Sequence, residues 1–186
     1  MLGFAFCGSF CTHARALQEL RNLLEDGYEI QPIVSECVWA TDTRFGRARA
    51  FIESLEGLCG RSVIHTVTGA EPLGPRDPLE ALVIAPCTGN TLAKLANGIT
   101  DTAVCMAAKA HLRCDRPLIL ALASNDALSA NLQNIATLLS RKSVYFVPME
   151  QDDPEKKPHS LVADFSLLRP TLLAAREGRQ FRRLFL

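Results

Sequence analysis

Residues 81–101 read ALVIAPCTGNTLAKLANGITD. An almost continuously apolar run, Ala81 to Pro86, gives way at once to Cys87, Thr88, Gly89, Asn90 and Thr91, and then to helical spacing that stops at Gly98. A strand that is apolar at every position has both faces covered, the condition of a central strand in a parallel sheet flanked by helices. The hydroxyls, carboxamide and glycine that follow stand where such a strand hands over to a helix, and packing alone does not ask for them. Asp101 is expected to cap a second helix over VCMAAKAHL.

The same rhythm runs through the rest of the chain. Apolar runs LGFAFC (2–7), YEIQPIVS (28–35), SVIHTV (62–67), PLILALAS (117–124) and SVYFVP (143–148) alternate with helical patterns. In ARALQELRNLLEDG, Leu17, Leu20, Leu23 and Leu24 share one face and Gly27 supplies a stop. The pattern predicts an α/β fold: a doubly wound, Rossmann-like or flavodoxin-like parallel sheet of about six strands with helices on both faces. One domain is expected over 1–186, with an extended arm near 148–160 and a last helix near 161–177. Ligands of such sheets bind beyond the carboxyl ends of the strands, so the loops there matter most.

A chain of 186 residues suffices for one well-buried domain and is short for two. Twenty basic side chains balance twenty acidic ones, which leaves no global field to hold a polyanion or an anionic membrane; nucleic acid and membrane are poor partners. The opening MLGFAFC lacks the basic region and long apolar core of a secretion signal, and no apolar run reaches bilayer length. Seven cysteines without a CxxC pair argue for a reducing compartment and against a metal site. A cytoplasmic location is expected.

Three loops carry candidate chemistry. Gly8 and Ser9 follow the first strand, where glycine lets backbone approach a ligand and the first helical turn favours an anion. The spacing fits neither GxGxxG nor GxxxxGK[ST], and a plain Ser N-cap is the alternative. Ser35 closes the second run in the same way; beyond it Arg44 is placed to clamp a carboxylate, unless Thr41 or Asp42 merely caps a helix and Arg44 is solvated. Thr88 to Thr91 offer uncharged donors and acceptors to a flat polar ligand.

APCTGNTLAKLANGITD resembles the signature PxSANTxAKxAxGxxDN of a flavin-binding family that contains phosphopantothenoylcysteine decarboxylase, the lantibiotic cysteine decarboxylases and the flavin prenyltransferases. Pro86, Thr88, Asn90, Thr91, Lys94, Gly98 and Asp101 match, while Gly89 and Thr102 replace an alanine and an asparagine. The resemblance implies FMN as cofactor, with Gly8, Ser9, Ser35, Thr88, Asn90 and Thr91 binding it, and a homo-oligomer with the site between its copies. Two departures stand out. Pro72 occupies the place of the decarboxylases' catalytic histidine, and ASNDALSANLQN replaces their PxMNxxMW segment.

Those departures, with VSECVWATDTRFG, AEPLGP and YFVPMEQDDPEKKPHSLVADF, resemble a narrower branch, the second components of a two-part synthase of spore-forming bacteria. That resemblance implies oxidation of a dihydrodipicolinate-type heterocycle in the mother cell, with NADP entering through a nicotinamide-binding partner. For a dicarboxylate substrate, Arg44 is the candidate carboxylate partner and Asn125 the candidate neutral contact. Asp126 is the candidate proton acceptor or, alternatively, a helix N-cap. Glu71 is the carboxylate nearest the missing histidine and is the second catalytic candidate, against a solvated loop acid. His13 is close enough in sequence to touch an anion, Cys87 reads as a core thiol rather than a nucleophile, and QDDPEKKPHS (151–160) reads as a docking strip or an exposed connection. Two other readings stay open: a non-catalytic scaffold, and an FMN-dependent decarboxylase.

Overall fold

The computed structural model describes residues 1–186. The chain runs β1 (Leu2–Phe6), α1 (His13–Glu25), β2 (Ile30–Val34), α2 (Glu36–Ala40), α3 (Ala48–Cys59), α4 (Val67–Ala70), β3 (Leu82–Cys87) and α5 (Gly89–Asn97). It continues through α6 (Ala103–Leu112), β4 (Leu118–Ser124), α7 (Leu132–Leu139), β5 (Val144–Phe146), β6 (Met149–Glu150), β7 (Leu161–Ala163) and α8 (Leu168–Arg176). No helix is long and apolar enough to cross a membrane.

Strands β2, β1, β3, β4 and β5 lie side by side and all parallel. Every residue of β1, β3 and β4 is buried, as their unbroken apolar runs require. Alternation along these strands sends Ile84, Leu120 and Leu122 into one layer with Leu92, Leu95, Val104 and Leu138. Phe4, Phe6, Val83 and Ile119 enter the opposite layer with Leu20, Leu23, Leu55 and Leu172. The chain is therefore an α/β, flavodoxin-like sheet with helices on both faces.

β4 is shared along its outer edge. Its first half pairs β5, whereas Ala123 and Ser124 pair antiparallel with Val162 and Leu161 of β7, which in turn pairs β6. The segment 161–163, expected to begin the last helix, is thus a strand, because β5 ends too soon to cover the carboxyl end of β4; α8 starts only at Leu168.

The run 62–67, expected to be a strand, contributes one bridge, Ile33 to Ile64. The reason lies in β2. The Val34 N–H donates to the Ile64 carbonyl and the Ile64 N–H to that of Pro32, but Pro32 has no N–H to continue the ladder. The Ser62 carbonyl, next in register, accepts instead from the Gln31 side chain at 2.9 Å. Asp101 does not cap α6 either. Thr102 does, its hydroxyl accepting from the Cys105 N–H at 3.1 Å, while Asp101 pairs with Lys94 at 2.8 Å.

Candidate functional site

A cleft of about 700 Å³ opens beyond the carboxyl ends of β1, β3 and β4. Gly8, Ser9 and Thr12 come from the turn after β1; Thr88, Gly89 and Asn90 from the β3–α5 junction; Ser124, Asn125 and Asp126 from the end of β4. Arg44 and Phe45 reach in from the loop between α2 and α3, and Asp152, Lys157 and Ser160 from the loop between β6 and β7. Strand β1 is flanked by β2 on one side and β3 on the other, so the connections leave it in opposite directions and the crevice follows.

The β3–α5 junction is built by its own hydroxyls. Thr88 caps α5, its Oγ1 accepting from the Thr91 N–H at 3.2 Å and donating to Thr91 Oγ1 at 3.1 Å. Thr91 turns away beneath the loop and donates to Cys7 Sγ at 3.3 Å. Gly89 is buried, and a Cβ there would lie 2.5 Å from Ser124 Oγ, 2.7 Å from Asn131 Nδ2 and 2.8 Å from Asp126 Oδ1. Only a hydrogen atom fits. That close approach sets the neighbouring Asn90 on the cleft rim, exposed and with no hydrogen-bond partner in the chain.

Across the cleft, Asp126 accepts from the Ser124 hydroxyl and from Asn131 Nδ2, both of its oxygens lying 2.9 Å from that nitrogen. The Ser124 hydroxyl, and then the Asn131 amide, hold its carboxyl below the usual carboxylate range. Asp126 is thus an ionised anchor for the loop; Asn131, not Asp126, stands at the start of α7. Asn125 beside it is exposed, and like Asn90 its carboxamide is unused within the chain.

Three cations line the cleft: Arg15, Arg44 and Lys157. Arg44 rides at the tip of a tight turn in which Thr43 and Gly46 exchange backbone hydrogen bonds of 3.0 and 3.1 Å. Gly46 sits at φ +145°, backbone that L side chains rarely adopt. The Arg44 guanidinium lies 4.8 Å from the centre of the Phe45 ring, and that of Arg15 lies 5.3 Å from Phe165. Lys157 meets Asp152 at 2.6 Å.

Of the residues singled out in the sequence, Gly8, Ser9, Arg44, Thr88, Asn90, Asn125 and Asp126 share this cleft. Ser35 and Thr91 do not line it: Ser35 caps α2 through the Val38 N–H at 3.4 Å, and Thr91 is buried. Glu71 lies in a separate cleft of about 240 Å³ with Pro72, Arg76 and Arg113. Ser9 makes no side-chain cap; Asp42 accepts from the Ala48 N–H at the start of α3 at 2.9 Å, as the alternative reading of that loop expects, and Arg44 is exposed at the mouth of the cleft. His13 turns inward, 2.8 Å from the Cys7 carbonyl and stacked on Phe51, and burial lowers its pKa. Burial likewise pushes the Cys87 thiol well up, as a core thiol requires.

Sequence reasoning missed Thr12, Arg15, Phe45, Asp152, Lys157 and Ser160. Thr12 and Arg15 follow Ser9 at three- and six-residue spacing, the first turns of a helix opening on the loop, and that signal was available. The loop 151–160 gave none, since its place depends on β7 pairing β4.

The chain belongs to the Flavoprotein family, whose model matches residues 2–164. Among its relatives it is similar to the B subunit of dipicolinate synthase from Bacillus subtilis (strain 168), 43% identical over 181 residues, which covers 97% of this chain and 90% of that protein. The crystal structure of the corresponding B subunit of dipicolinate synthase from Bacillus halodurans C superposes with a TM-score of 0.91 at 39% identity, covering 100% of this chain and 95% of that one. The FMN-dependent cysteine decarboxylase SpaF shares the fold, with a TM-score of 0.67 at 22% identity over 94% of this chain and 95% of its own.

Proposed function

We propose that this chain acts as the B subunit of a dipicolinate synthase, taking part in the oxidation of dihydrodipicolinate to dipicolinate during sporulation. Its partner in this reading is the nicotinamide-binding subunit of the same synthase, which carries NADP. The observation that carries the reading is the cleft itself: three cations stand around two carboxamides, Asn90 and Asn125, that no group of the chain uses. A flat ring bearing two carboxylates needs cations at its edges and neutral donors and acceptors beside its nitrogen. Likeness to proteins of that name over nearly the whole chain supports the same assignment.

The residues present also fit FMN. At Gly8 a Cβ would lie 3.2 Å from Cys37 Sγ, so the turn after β1 packs with its backbone toward the cleft, and Ser9 and Arg15 supply a hydroxyl and a charge suited to a phosphate. Thr88 and Asn90 would meet the polar edge of the ring system. When bound, FMN supplies a two-electron acceptor. The chain's own residues orient the heterocycle: Arg44 holds a carboxylate, the Phe45 face shields it from water, and the Asn125 carboxamide meets the ring.

Oxidation removes a hydride and a proton from the ring, and NADP carried by the nicotinamide-binding partner would be the final two-electron acceptor. Asp126, already saturated by Ser124 and Asn131, is a poor proton acceptor. Its part is to fix the loop that presents Asn125, and the proton leaves to water. Glu71 enters this reading only through a neighbouring copy in a homo-oligomer.

The test is reconstitution. Oxidation of dihydrodipicolinate by the nicotinamide-binding partner with NADP is measured with and without an equimolar amount of this chain. The expected result is a rise in turnover of at least about tenfold, the scale of a gain from positioning. Full turnover by the partner alone removes the catalytic role and leaves the chain a scaffold.

A further inference from the structure

The loop 151–160 is fixed where it stands. Its stem is the antiparallel pair Met149–Ala163 and Glu150–Val162, and β7 is stitched to Ala123 and Ser124 at the end of β4. Within the loop, the Lys157 N–H donates to the Asp153 carbonyl at 2.7 Å and the Ser160 N–H to that of Lys157 at 3.0 Å. The Leu128 N–H ties the far side to the His159 carbonyl at 2.9 Å, and Ser160 is buried. A mixed-charge segment held at both ends and in the middle against the cleft is part of its wall.

The charges on that wall do not cancel evenly. Arg15, Arg44 and Lys157 face two carboxylates, Asp126 and Asp152. Asp126 is occupied by neutral donors, Ser124 and Asn131. Asp152 is the carboxylate that neutralises a cleft cation, Lys157, at 2.6 Å. Their side chains remain 53% and 31% exposed, Lys157 and Asp152 respectively. A pair this solvated is worth little, so an incoming anion gives up little in displacing Asp152. An ammonium also carries no shape preference between carboxylate and phosphate.

We infer that Lys157 is an anion-binding residue of the cleft and that Asp152 is its internal competitor, released when a ligand carboxylate or phosphate takes the ammonium. The inference rests on reading the cleft as a site for an anionic ring compound. Its consequence is selectivity: charged ligands gain from Lys157, and uncharged analogues of the same shape do not.

Calorimetric titration of the full chain tests it with three probes: FMN, dipicolinate and uncharged riboflavin. Asp152→Asn keeps the shape of the side chain and should tighten binding of the anionic probe that reaches Lys157 about threefold to fivefold. Lys157→Gln should weaken the same probe about tenfold. Riboflavin should respond to neither. With Lys157 already replaced, Asp152→Asn should add nothing, since the two act as a unit. Whether FMN or dipicolinate responds identifies phosphate or carboxylate as the group held. Circular dichroism of each variant checks that the fold is intact. Unchanged or weaker binding of both anions to D152N, or a silent K157Q, overturns the inference while the functional reading stands. Failure of the unaltered chain to bind either anion removes that reading and the inference with it.

Discussion

Replacing Gly89 by alanine puts the packing of the cleft under direct strain. Alanine is the better helix former, and at the first residue of α5 the exchange alone would favour the folded state by about 1 kcal/mol at most. Against this, the new methyl would lie 2.5–2.8 Å from Ser124 Oγ, Asn131 Nδ2 and Asp126 Oδ1. All three atoms belong to one hydrogen-bonded cluster and cannot swing away separately. Moving them sacrifices a hydrogen bond to a charged group and overpacks a buried site, together about 3 kcal/mol. The net loss is about 2 kcal/mol, which for a domain of this size lowers Tm by about 4–8 °C. Urea unfolding followed by circular dichroism, with m unchanged, reads the loss; calorimetry reads Tm. Gly57→Ala is the control, since its position in the last turn of α3 opens on empty space and should gain up to about 1 kcal/mol. A Gly89→Ala protein as stable as the unaltered one would refute the reasoning, because helix propensity would then have outweighed the contacts.

Other outcomes follow from the same structure. Burial lowers the pKa of His13 and His111, so the unfolded chain binds protons that the folded one refuses. Stability from these two is full above about pH 6.5 and falls as pH drops through the histidine range, by up to ~1.4 kcal/mol per pH unit for each. Urea midpoints between pH 8 and pH 5 read the fall, and a flat profile contradicts it. Asp126 acts in a lower window: its depressed pKa gives stability that is full above about pH 4 and lost as pH falls through the folded-state value, so Asp126→Asn should differ most from the parent at pH 7 and draw closer to it as the pH is lowered below about 4. Thiol labelling followed by mass spectrometry should mark the exposed Cys11 and Cys37 in the folded chain. Cys7, whose pKa burial pushes up to about 12, and Cys87 should react only on unfolding. FMN should protect Cys11, which lines the cleft; equal labelling of all four in the folded protein contradicts the burial.

The central strands and the β3–α5 junction were legible because burial on both faces leaves an unbroken apolar run, and because a threonine cap and a terminating glycine bracket α5. Gly98 indeed ends that helix at φ +72°. The run 62–67 misled because its apolar residues suit a strand, while the partner that must accept it carries Pro32 at the needed donor position; pairing is a property of two segments. The same limit hid Lys157 and Asp152, whose place follows from the uncovered carboxyl end of β4. Ser35 and Thr91 show the reverse: hydroxyls at strand ends were read as ligand contacts, and the structure spends them on a cap and on a buried thiol.

Equilibrium titration of the purified chain and its Asn90→Ala variant with FMN and with dipicolinate bears on the cleft as a whole, since Asn90 makes no contact that folding needs. The expected result is saturable binding of at least one compound, one per chain, weakened at least about tenfold in the variant with Tm unchanged. Equal affinity of variant and parent, or no binding of either compound, would contradict a cleft built for a flat anionic ring.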